Sequence, residues 1–389
     1  MGWRRPLDGA VYAQPLAIGG RVVAATENGS VYALDARTGS VLWRRHIADP
    51  VSGSDLPCGD ISPLGVTGTP VYDSASGRVF AIAETSGGVH ILAGISLATG
   101  QVQVQREFEP PRGDKLASQQ RTALALYGGR VYAGFGGLFG DCGDYVGSVV
   151  SSATTGQGPV TSFAVPTSRE GGIWATGGPV VTGGRLLVSA GNGAAVSSGS
   201  RYDGSDSVSA LSPALRRTGF FAPPSWADDN AGDLDLGSMT PAVAGDYVFI
   251  AGKRGTGYVL RAAHLGGISG QAGQLNLCVG WGTAAVSGNT VYVPCRDGPM
   301  RDVTIGANGT PHPGWTAATS GATGSPATGG GALWTVDYRA GVLYALNPAT
   351  GAVRSQVQIG PAPNFAAPSL SGSRAYVGTS TGVVAVSGA

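Results

Sequence analysis

The densest run of groups able to do chemistry is SWADDNAGDLDLGSMTP, from Ser225 to Pro241. Asp228, Asp229, Asp233 and Asp235 crowd into it. Carboxylates so close together can give calcium hard oxygen ligands or take a proton from a hydroxyl as a general base. They can equally form a solvated surface loop. Lys253 follows in AGKRGTGYVL and, with Lys115, completes the lysines of the chain. The cysteines Cys58, Cys142, Cys278 and Cys295 form no C-x-x-C pair, and His46, His90, His264 and His312 are scattered, so neither zinc nor haem is expected. Ser380 in GTSTG fits the G-x-S-x-G spacing, but its setting reads as a hairpin turn and not a strand-to-helix elbow.

Composition limits the elements that can position these groups. Gly is 66 of 389 residues, and Gly and Pro interrupt the chain every few positions, which excludes long helices. Apolar residues reach 42% against 13% charged, which excludes disorder. The net charge is +1 and no basic run interleaves with aromatics, so nucleic acid is not an expected partner. No stretch approaches the roughly 18 apolar residues of a membrane-spanning helix. The chain opens on the strand-like Gly2-Trp3-Arg4-Arg5 without the pattern of a signal peptide, the expectation for a mature or trimmed chain.

Self-similarity organises the rest. A short apolar run, a Gly-containing turn and a second apolar run recur eight times, as in QPLAIGGRVVAA from Gln14, TPAVAGDYVFIAG from Thr240 and APSLSGSRAYVG from Ala367. The copies align on Pro15, Pro70, Leu124, Pro179, Pro241, Ala284, Pro326 and Pro368. The last units have the length of a minimal four-stranded propeller blade, about 40 to 45 residues, and the earlier ones carry insertions. VYALDARTGSVLW, from Val31, reads as the third and fourth strands of one blade joined by a turn at Thr38-Gly39. The eighth unit ends one strand short. Gly2 to Leu7 shares Trp-Arg-Arg with the fourth strand VLWRRHI, so it is expected to close the ring and remove the open edge. The expected fold is all-β: an eight-bladed β-propeller of four-stranded antiparallel blades, one domain over residues 1–389.

With strands lettered a to d from the axis outward, the b–c and d–a loops share one face. The long insertions fall there: Asp49 to Leu64, Phe108 to Gln120, Gly136 to Gly147, Gly191 to Ser207 and Phe221 to Ser238. The four cysteines lie on the same face. Cys278 and Cys295 flank one hairpin, which pairs them with each other and leaves Cys58 for Cys142. Two disulfides imply an oxidising compartment, so an extracellular or cell-envelope location and a monomer are expected.

The repeat Ala-Leu-Asp-x-x-Thr-Gly-x-x-x-Trp, complete in the first blade, resembles that of quinoprotein (PQQ-dependent) dehydrogenases and the related outer-membrane assembly propellers. Eight blades favour the quinoprotein alcohol dehydrogenase-like branch, and the loss of most signature tryptophans marks a divergent member. The resemblance extends to single residues. Trp174 precedes Asn192 by the spacing that separates the family's cofactor-floor Trp from a calcium-ligating Asn. Lys253 stands five before Tyr258, where the family has a basic residue on the quinone. The Asp run stands where the catalytic base is expected, with Asp228, Asp229, Asp233 and Asp235 competing, Asp235 leading and Asp233 next. The family's Glu calcium ligand has no counterpart in GLFGDCGDYVG, where Asp141 and Asp144 are the nearest carboxylates and Asp144 is the metal candidate with Asn192. Adjacent cysteines are absent too.

Two functions follow. One is a propeller that binds a small molecule or a partner protein on the d–a/b–c face without the family's chemistry. The other is a dehydrogenase using PQQ and calcium to oxidise an alcohol or sugar-like hydroxyl.

Overall fold

A computed structural model describes residues 2–319, 321 and 323–388. Eight antiparallel sheets form the blades of a closed ring. Blade 1 is made of Leu16–Ile18, Arg21–Ala25, Ser30–Asp35 and Val41–His46 as strands a to d. In blade 8 the first three strands are Ser369–Ser371, Arg374–Thr379 and Gly382–Ser387. Its fourth is Trp3–Pro6, paired antiparallel with Trp3 opposite Ala385 and Pro6 opposite Gly382. The expected ring closure is therefore present.

Burial follows position in the blade. Strands b and c are sandwiched between neighbouring sheets, so Arg21–Ala25 and Ser30–Asp35 are buried almost throughout, whereas Val41–His46 on the outer rim is mostly exposed. Apolar clusters join successive blades. Val22, Ala24, Tyr32 and Leu34 of blade 1 pack on Tyr376, Val383 and Ala385 of blade 8. Each large side chain buried in this way contributes about 1.5 to 3 kcal/mol.

The interruption in VYALDARTGSVLW has a structural cause. Asp35 turns the chain by accepting hydrogen bonds from the Arg37 and Thr38 amides at 3.0 and 2.8 Å. Gly39 follows with φ +72°, open to glycine at little cost. The bare glycine is also the seat for the preceding blade. A side-chain carbon at Gly39 would lie 2.6 Å from the Trp3 ring, and at Gly100 2.8 Å from the Trp43 ring. Trp3 and Trp43 donate their indole N–H groups to Ala36 and Leu97 carbonyls, at 3.1 and 2.9 Å. Two residues on, Arg5 and Arg45 donate to the Gly39 and Gly100 carbonyls, both at 2.7 Å. Trp315 seats on Gly351 in the same way. In blade 2, Val104 replaces the tryptophan against Gly156, and Arg106 keeps the hydrogen bond to that glycine at 3.0 Å.

The b–c/d–a face is elaborate, as expected. Blade 5 carries an insertion in its c–d connection, where Gly267–Ile268 pairs in parallel with Phe221 and Ala222 at the end of blade 4's fourth strand, Arg217–Ala222. Beneath the elaborate face, His90 is fully buried between Glu84 at 3.3 Å and Glu109 at 3.1 Å, edge-on to Phe135. Burial alone would lower its pKa, but the two carboxylates overcome this and raise it to about 9.

Removing residues 2–7 opens one sheet edge and deletes the Trp3 and Arg5 contacts. The thermal unfolding midpoint should fall by several degrees, since about 1 kcal/mol moves it by roughly 2 °C in a chain this large; an unchanged midpoint would contradict closure. A His90 pKa raised from 6.5 to about 9 contributes stability that is fully present below pH 6.5 and lost as pH rises through 9. Chemical denaturation between pH 6.5 and 9.5 should show this decline in the wild type and a flatter profile in His90→Gln.

Candidate functional site

The d–a loops carry the chain inward to each strand a, so their last residues meet near the axis. There a cavity of about 700 Å³ opens, lined from several blades. Tyr12, Trp174, Trp281, Tyr338 and Phe365 give it aromatic walls, and Arg121, Lys253, Arg296 and Arg339 give it cations. Asp60, Asp141, Asp233 and Asp235 supply its carboxylates. A second cavity, about 410 Å³, is lined by residues in and beside strands a of blades 1, 2, 7 and 8 and has no charged group in its wall.

Four of the residues singled out in the sequence form one connected cluster. The Lys253 ammonium lies 2.6 Å from both Asp233 and Asp235. Asp235 also accepts the Asn192 amide N–H at 2.7 Å, and the Asn192 side-chain NH₂ donates to Asp233 at 2.8 Å. Trp174 stands in the same wall, tilted against Trp281 with ring centres 5.4 Å apart. Burial pushes the Asp235 carboxyl up, against the pull of Lys253, and the two aspartates raise Lys253 in spite of its own burial. Behind them Asp206 is wholly buried. It accepts the Leu236 amide at 2.8 Å and is held well above the usual carboxylate range by burial and by Asp235.

Local structure separates the competing aspartates. Trp226–Gly232 is a short helix in which Asp228 faces solvent, while Asp229 is buried against Arg254 and Ser225. Asp233 terminates the helix in a left-handed conformation, φ 52°. Of the four, Asp233 and Asp235 reach the cavity. Asp144 does not line it: that residue is exposed, and its carbonyl accepts the Asp114 amide at 2.5 Å. The cavity-lining carboxylate of that loop is Asp141, which accepts the Tyr145 hydroxyl at 2.5 Å.

Both disulfides form, Cys58–Cys142 and Cys278–Cys295. Each is tied to a cavity wall. The first joins the loop carrying Asp60 and Ile61 to the loop carrying Leu138 to Asp141. The second lies beside Trp281 and Arg296, whose guanidinium sits 4.5 Å over the Trp281 ring.

The sequence reading missed much of the wall, and four of the missed residues, Tyr12, Arg121, Trp281 and Phe365, share a repeat position. A signal was available. All four stand three residues before a repeat anchor, a position filled elsewhere by Thr67, Thr176, Ser238 and Thr323. The repeat thus offers eight equivalent axial positions, four with large side chains and four with small hydroxyls.

A family model described as outer membrane protein assembly factor BamB matches residues 1–136. No curated protein matches the sequence. Among solved structures, BamB from Moraxella catarrhalis is 16% identical, with 98% of this chain and 94% of that one aligned and a TM-score of 0.64. Quinohemoprotein alcohol dehydrogenase from Comamonas testosteroni is 16% identical over 96% of this chain and 71% of that one, TM-score 0.67. A europium-containing methanol dehydrogenase is 14% identical over 96% and 83%, TM-score 0.70. The whole chain has the β-propeller fold of these structures, and the family match is confined to its first 136 residues. At these identities the likeness to solved structures is one of fold, and the chemistry of the chain has to be argued from its own residues.

Those residues meet the family's cofactors in part. The Asn192 side-chain oxygen is buried with no hydrogen-bond partner, which suits a ligand atom or cation. A calcium shell needs six to eight oxygens. Asp235 already spends its oxygens on Asn192 and Lys253, and among the described residues no group of three or more His, Cys, Asp or Glu side chains is placed to hold a metal. The site does not fit calcium as a preformed centre. Also among the described residues, no helix is long and apolar enough to cross a membrane.

The two bridges are open to direct assay. Unfolded, unreduced protein should show no reactive thiol, and reduction should lower the unfolding midpoint, each bridge contributing about 3 to 5 kcal/mol at most. Four reactive thiols in the unreduced sample would contradict the pairing.

Proposed function

We propose that the protein is a ligand-binding propeller of the extracellular space or cell envelope, and that its axial cavity takes a small molecule. The observation that carries this reading is the cavity wall: five aromatic rings and four cations, drawn from d–a and b–c loops far apart in sequence, face one space of about 700 Å³. That volume lies in the range of small-molecule sites. The rings offer flat apolar contact, and the polar groups orient a ligand. The two disulfides suit an oxidising compartment. Phe139, 67% exposed on the cavity rim, marks where a partner protein would sit if the same face served docking.

A second reading, a PQQ- and calcium-dependent dehydrogenase acting on an alcohol or sugar-like hydroxyl, is favoured by the Asn192 side-chain oxygen and by its convergence with Trp174, Asp235 and Lys253. In that reading Trp174 would be the floor of the cofactor and Lys253 a cation beside it. Asp235 would be the carboxylate nearest the substrate. The incomplete metal donor set weighs against it.

One set of titrations tests both. Saturation-transfer NMR with a mixed library of flat acids, amides and sugars should find binders whose signals fall in Trp281→Ala. A library that binds neither protein, or binds both alike, contradicts the cavity reading. Calorimetry with PQQ and calcium tests the second reading, in which Lys253→Ala should weaken binding by about 1.5 to 3 kcal/mol, the scale of a hydrogen bond to a charged group. No heat, with Trp174 fluorescence unmoved, removes the dehydrogenase.

A further inference from the structure

The face opposite the axial cavity is built from a–b and c–d turns, and its charge is one-sided. In five consecutive blades, 8, 1, 2, 3 and 4, strand b opens on an arginine at this face: Arg374, Arg21, Arg78, Arg130 and Arg185. Four more stand exposed at c–d connections. They are Arg37 in blade 1, Arg216 and Arg217 in blade 4, and Arg261 at the end of strand c in blade 5. Against these nine the same face sets three carboxylates, Asp35, Asp73 and Asp246. The whole chain has a net charge of only +1, so the rest of the molecule is net acidic.

Among the described residues none of the nine arginines is in an ion pair. Every carboxylate that forms one, such as Asp8, Glu109, Asp229 or Asp297, belongs to the b–c/d–a side. Three of the half-buried strand-b arginines spend donors on neutral acceptors. Arg374 donates to the Ala36 and Arg37 carbonyls, both at 2.7 Å, Arg78 to the Gln103 side chain at 2.7 Å and Arg130 to the Ser151 hydroxyl at 2.9 Å. Such bonds fix a guanidinium in place and leave its charge uncompensated. Like charges gathered on one face repel one another and attract an anionic partner. The face is also flat. Blades 1, 3 and 4 turn from strand a to strand b on Gly-Gly pairs, at Gly19, Gly128 and Gly183, so no side chain stands above the arginines there. Val41 and Leu42, 46% and 49% exposed, lie at the same end of blade 1's fourth strand, and Val181, 37% exposed, lies beside the Gly183 turn.

We propose that this plain face docks the protein on a membrane surface rich in anionic phospholipid, which leaves the axial cavity open on the far side. Basic side chains near an anionic leaflet are attracted to its headgroups, and exposed apolar ones enter the headgroup boundary. A lipid plane meets an arc spread over five blades all at once. A linear polyanion would need a groove to follow and would leave Val41, Leu42 and Val181 without a role. The dock needs no ligand in the cavity and stands apart from the ligand-binding reading.

The test is co-sedimentation of the full-length oxidised chain with phosphatidylcholine vesicles, with and without about 30% phosphatidylglycerol, at about 50 mM salt, where screening is weak. Vesicles with phosphatidylglycerol should bind at least tenfold more tightly than those without, and the difference should vanish by about 0.5 M salt. The triple variant Arg37→Gln, Arg216→Gln, Arg261→Gln should lose at least tenfold. A matched triple on the elaborate face, Arg112→Gln, Arg169→Gln, Arg201→Gln, should change little. Leu42→Ser leaves the charge intact and should still weaken vesicle binding. Should the plain-face triple fail to fold, Arg216→Gln alone decides; it should lose about fivefold, and unchanged binding would overturn the dock. Equal binding to both kinds of vesicle, or an equal loss in both triples, would overturn it as well. Tighter binding to soluble polyphosphate than to the vesicles would make the partner a polyanion and overturn the membrane assignment.

Discussion

The contact on which the ring depends is that of a fourth-strand tryptophan with the turn glycine of the next blade. Trp3 on Gly39, Trp43 on Gly100 and Trp315 on Gly351 repeat one geometry, an indole lying where any side-chain carbon would collide. It joins two demands on a single residue. The c–d turn needs a positive φ, and the neighbouring sheet needs a flat seat. Where the tryptophan is lost, as at Val104, the arginine two residues on still holds the turn carbonyl. Blade-to-blade angle is therefore fixed from the outer rim, and the loops at the inner rim are free to differ.

That freedom is used on one face. Insertions in the early blades, two disulfides and the short helix before Asp233 all build around the axial cavity. Within it the charges are handled in two ways. Lys253, Asp233, Asp235 and Asn192 satisfy one another and form a closed polar cluster. Arg121 and Arg296 are positioned by aromatic faces and keep donors for something else.

The fold could be read from the sequence because its signals are local. Alternating apolar runs, Gly-containing turns and the shared Trp-Arg-Arg of residues 3–5 and 43–45 specify blades and closure within short windows. The cysteine pairs followed from loop topology, which the repeat register fixes. The site could be read less completely. The sequence reading put Asp235 and Asp233 ahead of Asp228 and Asp229, but the turn that ends the helix is what carries them to the cavity, and the place of Asp141 there depends on how one stapled loop folds back. Tyr12, Arg121, Trp281 and Phe365 lie far apart in the chain and have no common residue type. They meet because closure brings equivalent repeat positions to the axis.

The most direct measurement is saturation-transfer NMR of the oxidised chain and of its Trp281→Ala variant against one library of flat acids, amides and sugars. The account predicts binders whose signals fall in the variant, because Trp281 lines the axial cavity. A library that binds neither protein, or binds both alike, would contradict it.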